Sequence, residues 1–140
     1  MKDSISNFSA RIPELSENQI SRYLVDSAIE VHRTLGGPGL LERVYEEALI
    51  YELDQRDLSI ERQVQLPIVY KRQELPSYYR IDLIVNGKVI VDCKAVPEYN
   101  PIFEAQILTY LRLISLKLGM VINFGNRIVK NCIHRVVNRL

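Results

Sequence analysis

Three ionisable residues, Asp82, Asp92 and Lys94, sit inside runs of Val, Ile and Leu between Arg80 and Ala95. Burying a carboxylate or an ammonium is costly unless the group is paired or holds a metal. Two neighbouring carboxylates with a backbone carbonyl nearby suit a hard divalent cation such as Mg²⁺. Such an ion polarises phosphoryl oxygens and lowers the pKa of water toward neutrality. Lys94 beside it would orient the attacking water or stabilise charge on the phosphate. Glu42, in the second expected helix, offers a third acid. In the third expected helix Gln106 and Tyr110 are four apart and share a face, able to hydrogen-bond a phosphate, a base or the cluster itself. Each has a plainer reading beside it. Asp92 and Lys94 fit a structural ion pair, Glu42 a salt bridge to Arg43 or Arg80, and Gln106 and Tyr110 ordinary helix surface and core.

The elements that must position these groups follow from pattern. Ser16 and Gln19 form a capping box, and a helix runs to about Leu35, with Ile20, Leu24, Ala28, Val31 and Leu35 at helical spacing. Gly36-Gly37-Pro38-Gly39 breaks it. A second helix spans roughly Leu40 to Arg56. Its expected main stripe is Leu40, Leu41, Val44, Ala48 and Tyr51, and a second row holds Glu42, Tyr45, Leu49 and Leu53. Leu58 to Tyr70 reads as a strand with Leu58, Ile60, Val64, Leu66, Ile68 and Tyr70 on one face; Pro67 marks an edge or a bulge. Gln73 to Tyr78 reads as a loop.

Asn86-Gly87 then joins two apolar strands in a hairpin. A two-residue turn would set Asp82 and Asp92 on opposite faces, because side chains alternate. The apolar set Ile81, Leu83, Val85, Val89, Val91, Cys93 and Ala95 shares one face only if the loop holds an odd number of residues or a bulge intervenes. That register is preferred, and it sets Asp82 opposite Asp92. Asn100 and Pro101 open a third helix, expected to reach Leu118 with Gly119 as its terminator. Met120 to Phe124 is a strand, and Ile128 to Val137 is one more strand, whole or broken. The strand-helix-strand unit should be parallel.

Bulk properties narrow the setting. The 140 residues are 47% hydrophobic and 25% charged, with 18 Lys plus Arg against 17 Asp plus Glu, a formal net charge of +1. This is one globular domain's worth of chain, expected as residues 16–140 behind a flexible leader of residues 1–15. Charge alone argues no polyanionic partner. Cys93 and Cys132 imply no disulfide framework, and no signal peptide or membrane span is visible, so a cytoplasmic protein is expected. Lys130, Arg135 and Arg139 offer a basic patch, as readily explained by a solvated terminus. His32 and His134 have no metal-ligand spacing.

A helix acid, then Asp82, then Asp92-Cys93-Lys94, resembles the PD-(D/E)xK nuclease superfamily. Gln106 to Tyr110 resembles the Q-x-x-x-Y motif of its RecB-like branch. Gly39-Leu40-Leu41-Glu42-Arg43-Val44-Tyr45 is similar to the signature of the GxxExxY family. The resemblance runs from about Ile20 to Val137. It implies an α/β, restriction-endonuclease-like core with a mixed central sheet flanked by helices. It also implies Mg²⁺-dependent cleavage of phosphodiester bonds, with Mn²⁺ as a substitute and DNA as the expected nucleic-acid partner, and leaves a homodimer open. Carried over, Asp82, Asp92 and the Cys93 carbonyl resemble metal ligands, Glu42 the helix acid that joins them directly or through water, Lys94 the catalytic lysine, and Gln106 and Tyr110 the accessory pair. Asp92 departs from the Glu that the family often carries there. The competing expectation is a nuclease-fold module that binds nucleic acid or protein with little turnover.

Overall fold

The computed structural model describes residues 14–140, so the expected leader lies almost wholly outside the described residues. Helix α1 (Glu17–Leu35) opens on the capping box: the Gln19 N–H donates to Ser16 Oγ at 3.2 Å and the Ser16 N–H to Gln19 Oε1 at 2.8 Å. It closes on Gly36 in the left-handed region. Helix α2 (Glu42–Gln55), strands β1 (Ile60–Tyr70), β2 (Gln73–Val85) and β3 (Val89–Lys94), helix α3 (Ile102–Ile114) and strand β4 (Leu118–Asn123) follow. A 3₁₀ turn (Val129–Cys132) leads into β5 (Ile133–Val137), so the segment from Ile128 is the broken version of the expected strand.

The five strands lie in the order β1-β2-β3-β4-β5. All neighbours are antiparallel except β3 and β4, which α3 joins in parallel. One apolar cluster fills the face under α1 and α2, built from residues such as Leu24, Leu49, Leu83, Val91, Cys93 and Phe124. A smaller one fills the face under α3, with Ile84, Ile90, Ile107, Leu111 and Val121.

Several expectations need correction. Residues 73–78 are not a loop; they are the first half of β2, and the chain reverses at Lys71 and Arg72, both at positive φ. Helix α3 ends at Ile114, where Ser115 takes the left-handed conformation. Gly119 is a strand residue, because a Cβ there would stand 2.3 Å from the Ile107 side chain; its smallness lets α3 settle onto β4. In α2 the second row is the buried one. Tyr45, Leu49 and Leu53 enter the core, whereas Leu40, Leu41, Val44 and Tyr51 are exposed. Two apolar rows competed for the interior, and the row carrying the large ring took it.

The alternation along β1 and β2 is also broken. Leu58 and Ile60 pack with the first cluster, but Val64 and Leu66 pack with the second. Leu83 belongs to the first, and Ile81 to the second. The switch coincides with Gln63, at φ 49, and with a gap in the ladder where Gln63 and Asp82 would pair. The order of faces changes on both strands at this irregularity. Pro67 sits beside a further register shift on the edge strand, as expected.

Candidate metal and phosphodiester site

The hairpin register resolves in favour of the apolar pattern. Leu83 pairs with Val91, Ile84 with Ile90 and Val85 with Val89, leaving Asn86, Gly87 and Lys88 as a three-residue loop. Asn86 and Gly87 both have positive φ, and the Lys88 N–H closes the turn on the Val85 carbonyl at 3.0 Å. The next step in that register sets Asp82 opposite Asp92. Asp82 is fixed by its Oδ2, which accepts the Cys93 N–H at 3.1 Å. Lys94 Nζ lies 3.3 Å from Asp92 Oδ2 and 4.5 Å from the centre of the Phe103 ring. The ring holds the ammonium by cation–π attraction without removing it from the cleft.

These groups line a cleft of about 180 Å³ with Glu42, Arg80, Gln106 and Tyr110. Of the seven residues expected at the site, Glu42, Asp82, Asp92, Lys94, Gln106 and Tyr110 line this one cleft, and Cys93 does not. Asp92 is largely buried. That burial, and then the facing Asp82 carboxyl, hold its carboxyl far above the usual range, and Lys94 pulls the other way without prevailing. Burial also raises Glu42; Lys94 opposes this, and Asp82 and Glu46 add to it. Tyr110 is raised by burial first and by Asp92 next; its ring leans on Tyr79, 5.2 Å away. Cys93 is fully buried, and its side chain belongs to the first cluster, so only its backbone is available to the site.

The donor set fits a divalent cation. Two acids face each other with one ammonium beside Asp92, and the repulsion of paired carboxylates is what a hard cation offsets. Among the described residues, no three His, Cys, Asp or Glu side chains converge closely enough to enclose an ion. Asp82 and Asp92 are the side chains that would hold one, with backbone oxygen and water completing the shell.

Tyr45 is core, and it also frames the site. Its ring stacks on Phe124 at 4.8 Å and 2°. Its hydroxyl donates to the Gly37 carbonyl at 2.8 Å and accepts the Leu40 N–H at 3.1 Å. The loop that delivers Glu42 is thus tied to the strand end that carries Lys94, since the Phe124 N–H donates to the Lys94 carbonyl at 2.8 Å. Beyond Lys94 a buried amide takes over from the ladder. Asn123 Oδ1 accepts the N–H groups of Val96 and Gly125, and its Nδ2 donates to the Val96 carbonyl, each at 3.0 Å.

Three contributors were not singled out from sequence. Glu46 is buried, accepts from Gln63 Nε2 at 3.0 Å and is raised by burial and then by Asp82. Its signal was present: with Leu49 and Leu53 it falls at offsets of three and seven, an acid in the buried row. Gln63 and Arg80 had no such signal, because their roles depend on the face switch. Lys130, Arg135 and Arg139 line three different clefts, of which the last two share Val137. His32 is buried, its Nε2 2.7 Å from the Asn126 carbonyl, and His134 stacks on Tyr99 at 3.9 Å.

The family model described as the PD-(D/E)XK nuclease superfamily matches residues 18–136. No curated protein matches the chain, and no solved structure does. The five-stranded mixed sheet with flanking helices agrees with the restriction-endonuclease-like core of that superfamily. Among the described residues no helix is long and apolar enough to cross a membrane.

Proposed function

The chain belongs to the PD-(D/E)XK nuclease superfamily, and from that membership we propose that it hydrolyses phosphodiester bonds with Mg²⁺, or Mn²⁺ in its place, and that DNA is the substrate. Membership by itself suggests a metal-dependent nuclease; the choice of ion, the substrate, and the GxxExxY and RecB-like assignments are part of the proposal. The observation that carries it is the facing of Asp82 and Asp92 with Lys94 beside them in one cleft.

Asp82 and Asp92 would hold the ion, with the Cys93 carbonyl and, through water, Glu42. A bound divalent ion supplies Lewis acidity toward a phosphoryl oxygen and a water of lowered pKa. Lys94, held between Asp92 and Phe103, keeps a positive charge where charge develops on the phosphate, at no cost of reorganisation during reaction. Gln106 and Tyr110, one turn apart on α3, present an amide and a phenol to the same cleft. They would fix the phosphate or base by hydrogen bonds.

Labelled single- and double-stranded DNA, incubated with Mg²⁺ or Mn²⁺ against EDTA, tests the reading alongside Lys94→Ala. Metal-dependent cutting that Lys94→Ala abolishes supports it. A folded protein that binds DNA but never cuts, with either metal, supports the binding module in its place.

A further inference from the structure

Strand β2 is much longer than its contact with β3. Only Leu83 to Val85 pair with β3; ahead of them Gln73, Glu74 and Tyr78 to Arg80 pair with β1 alone, and Leu75 to Ser77 have no ladder partner. The β1–β2 hairpin is an arm that extends beyond the five-stranded sheet. We propose that this arm binds single-stranded nucleic acid and leads it to the cleft, with Tyr78 stacking on a base and Arg80, Lys71 and Arg72 meeting phosphates. This deepens the nuclease reading and rests on it for the fate of the strand.

Residues 60–80 carry Arg62, Lys71, Arg72 and Arg80 against Glu61 and Glu74, in a chain whose net charge is only +1. Arg62 is occupied by Glu46 at 3.8 Å. Among the described residues Lys71, Arg72 and Arg80 form no ion pair, and all three are exposed. Arg80 lines the acidic cleft itself. A guanidinium exposed beside Asp82 and Asp92, bonded to neither, is available to a phosphate.

The aromatic residues point the same way. Tyr78 and Arg80 are two apart on β2 and share a side of the arm. Tyr78 is 51% exposed and Tyr70 60%, and Lys71 Nζ lies 5.5 Å from the Tyr70 ring centre. Tyr79, on the other side, is spent against Tyr110. Exposed rings interleaved with free cations are what single strands use, since every base offers a π face and every nucleotide a charge. Along β1, from Gln65 opposite Arg80 to the turn at Lys71, the arm spans roughly 20 Å at about 3.3 Å per residue, because the register shift gives β2 extra residues over the same length. That is room for roughly six stacked nucleotides at about 3.4 Å each. A second copy adding to the edge of β1 is disfavoured, because Pro67 lacks a donor and the register shift beside it twists the edge.

Fluorescence anisotropy with a labelled oligothymidylate in EDTA tests the arm without any cleavage. The wild-type chain should bind it more tightly than a duplex of equal length. The Tyr78→Ala/Arg80→Ala double variant should bind about tenfold or more weakly, with an unchanged circular dichroism spectrum, while Tyr78→Phe retains affinity. Wild-type affinity in the double variant overturns the arm. So does equal binding of the duplex with Tyr78→Ala neutral, no binding by the wild type, or a dimer in sedimentation that the double variant abolishes. Because EDTA silences the metal site, oligothymidylate binding without metal-dependent cutting refutes the nuclease reading alone. Cutting at a wild-type KM by the double variant refutes the arm alone.

Discussion

The two faces of β3 are cut from one run of six residues. Val89, Val91 and Cys93 point under α1 and α2 into the larger cluster, all fully buried. Ile90, Asp92 and Lys94 point under α3, where one helix covers the sheet and the cover stops short of the strand's end. On the first face β3 contributes only apolar side chains and a fully buried thiol. The other begins as core at Ile90 and becomes a charged cleft within one residue pair. Chemistry is placed where the second layer ends, so the site borrows the rigidity of a buried strand without the full cost of burying its charges.

That contrast predicts separable failures. Leu83→Ala strikes the first face and should cost about 2–5 kcal/mol of folding stability, read by chemical denaturation, with metal-dependent activity retained in the protein that stays folded. Lys94→Ala strikes the other face. It should lower cleavage by roughly 10²-fold or more and leave the denaturation midpoint close to that of the parent. If the two phenotypes were exchanged, the division of labour between the faces would be wrong. Tyr45→Phe keeps the stack on Phe124 and removes both hydroxyl bonds. A loss of about 1–2 kcal/mol is expected, together with weaker metal binding by calorimetry as the loop carrying Glu42 loosens.

The smallest effect concerns Asp92. Its folded pKa is raised, so the folded state retains a proton that the unfolded chain has lost above the ordinary carboxylate pKa. Stability of the metal-free protein should therefore fall as pH rises from about 5 through neutrality. Asp92→Asn should flatten that slope and raise Tm by a few degrees at pH 8. Mg²⁺ should flatten it too in the parent, because an ion replaces the proton. A metal-free Tm that rises over the same range would contradict the buried, facing arrangement of the two acids.

Much of this was legible in the residues. The capping box of α1, the hairpin at Asn86-Gly87 and the parallel unit around α3 follow from local chemistry and period. The odd-numbered loop was legible because a one-residue slip would have turned the whole apolar set of one strand to the wrong face. Where two apolar rows competed, as in α2, sequence could not choose, since burial there depends on the partner surface. The face switch at Gln63 was invisible because nothing in a Gln between Arg62 and Val64 calls for a positive φ; in the fold that residue also bonds Glu46. The role of Arg80 depended on that switch and was hidden with it, whereas Glu46 was legible as an acid in the row of Leu49 and Leu53.

The Asn123 amide has a consequence for how this site tolerates change over generations. It is fully buried and serves three backbone groups at once, two donors through its oxygen and one acceptor through its nitrogen. Asp has no donor for the Val96 carbonyl, Gln is one carbon too long, and Ser reaches too few partners. Gly125 beside it is confined as well, since a Cβ there would stand 2.3 Å from the Val96 carbonyl oxygen. The side chains that line the cleft each meet fewer partners than this amide does. The bracket behind Lys94 has almost no neighbouring solutions, so the lineage's room for innovation lies in front of the lysine rather than behind it.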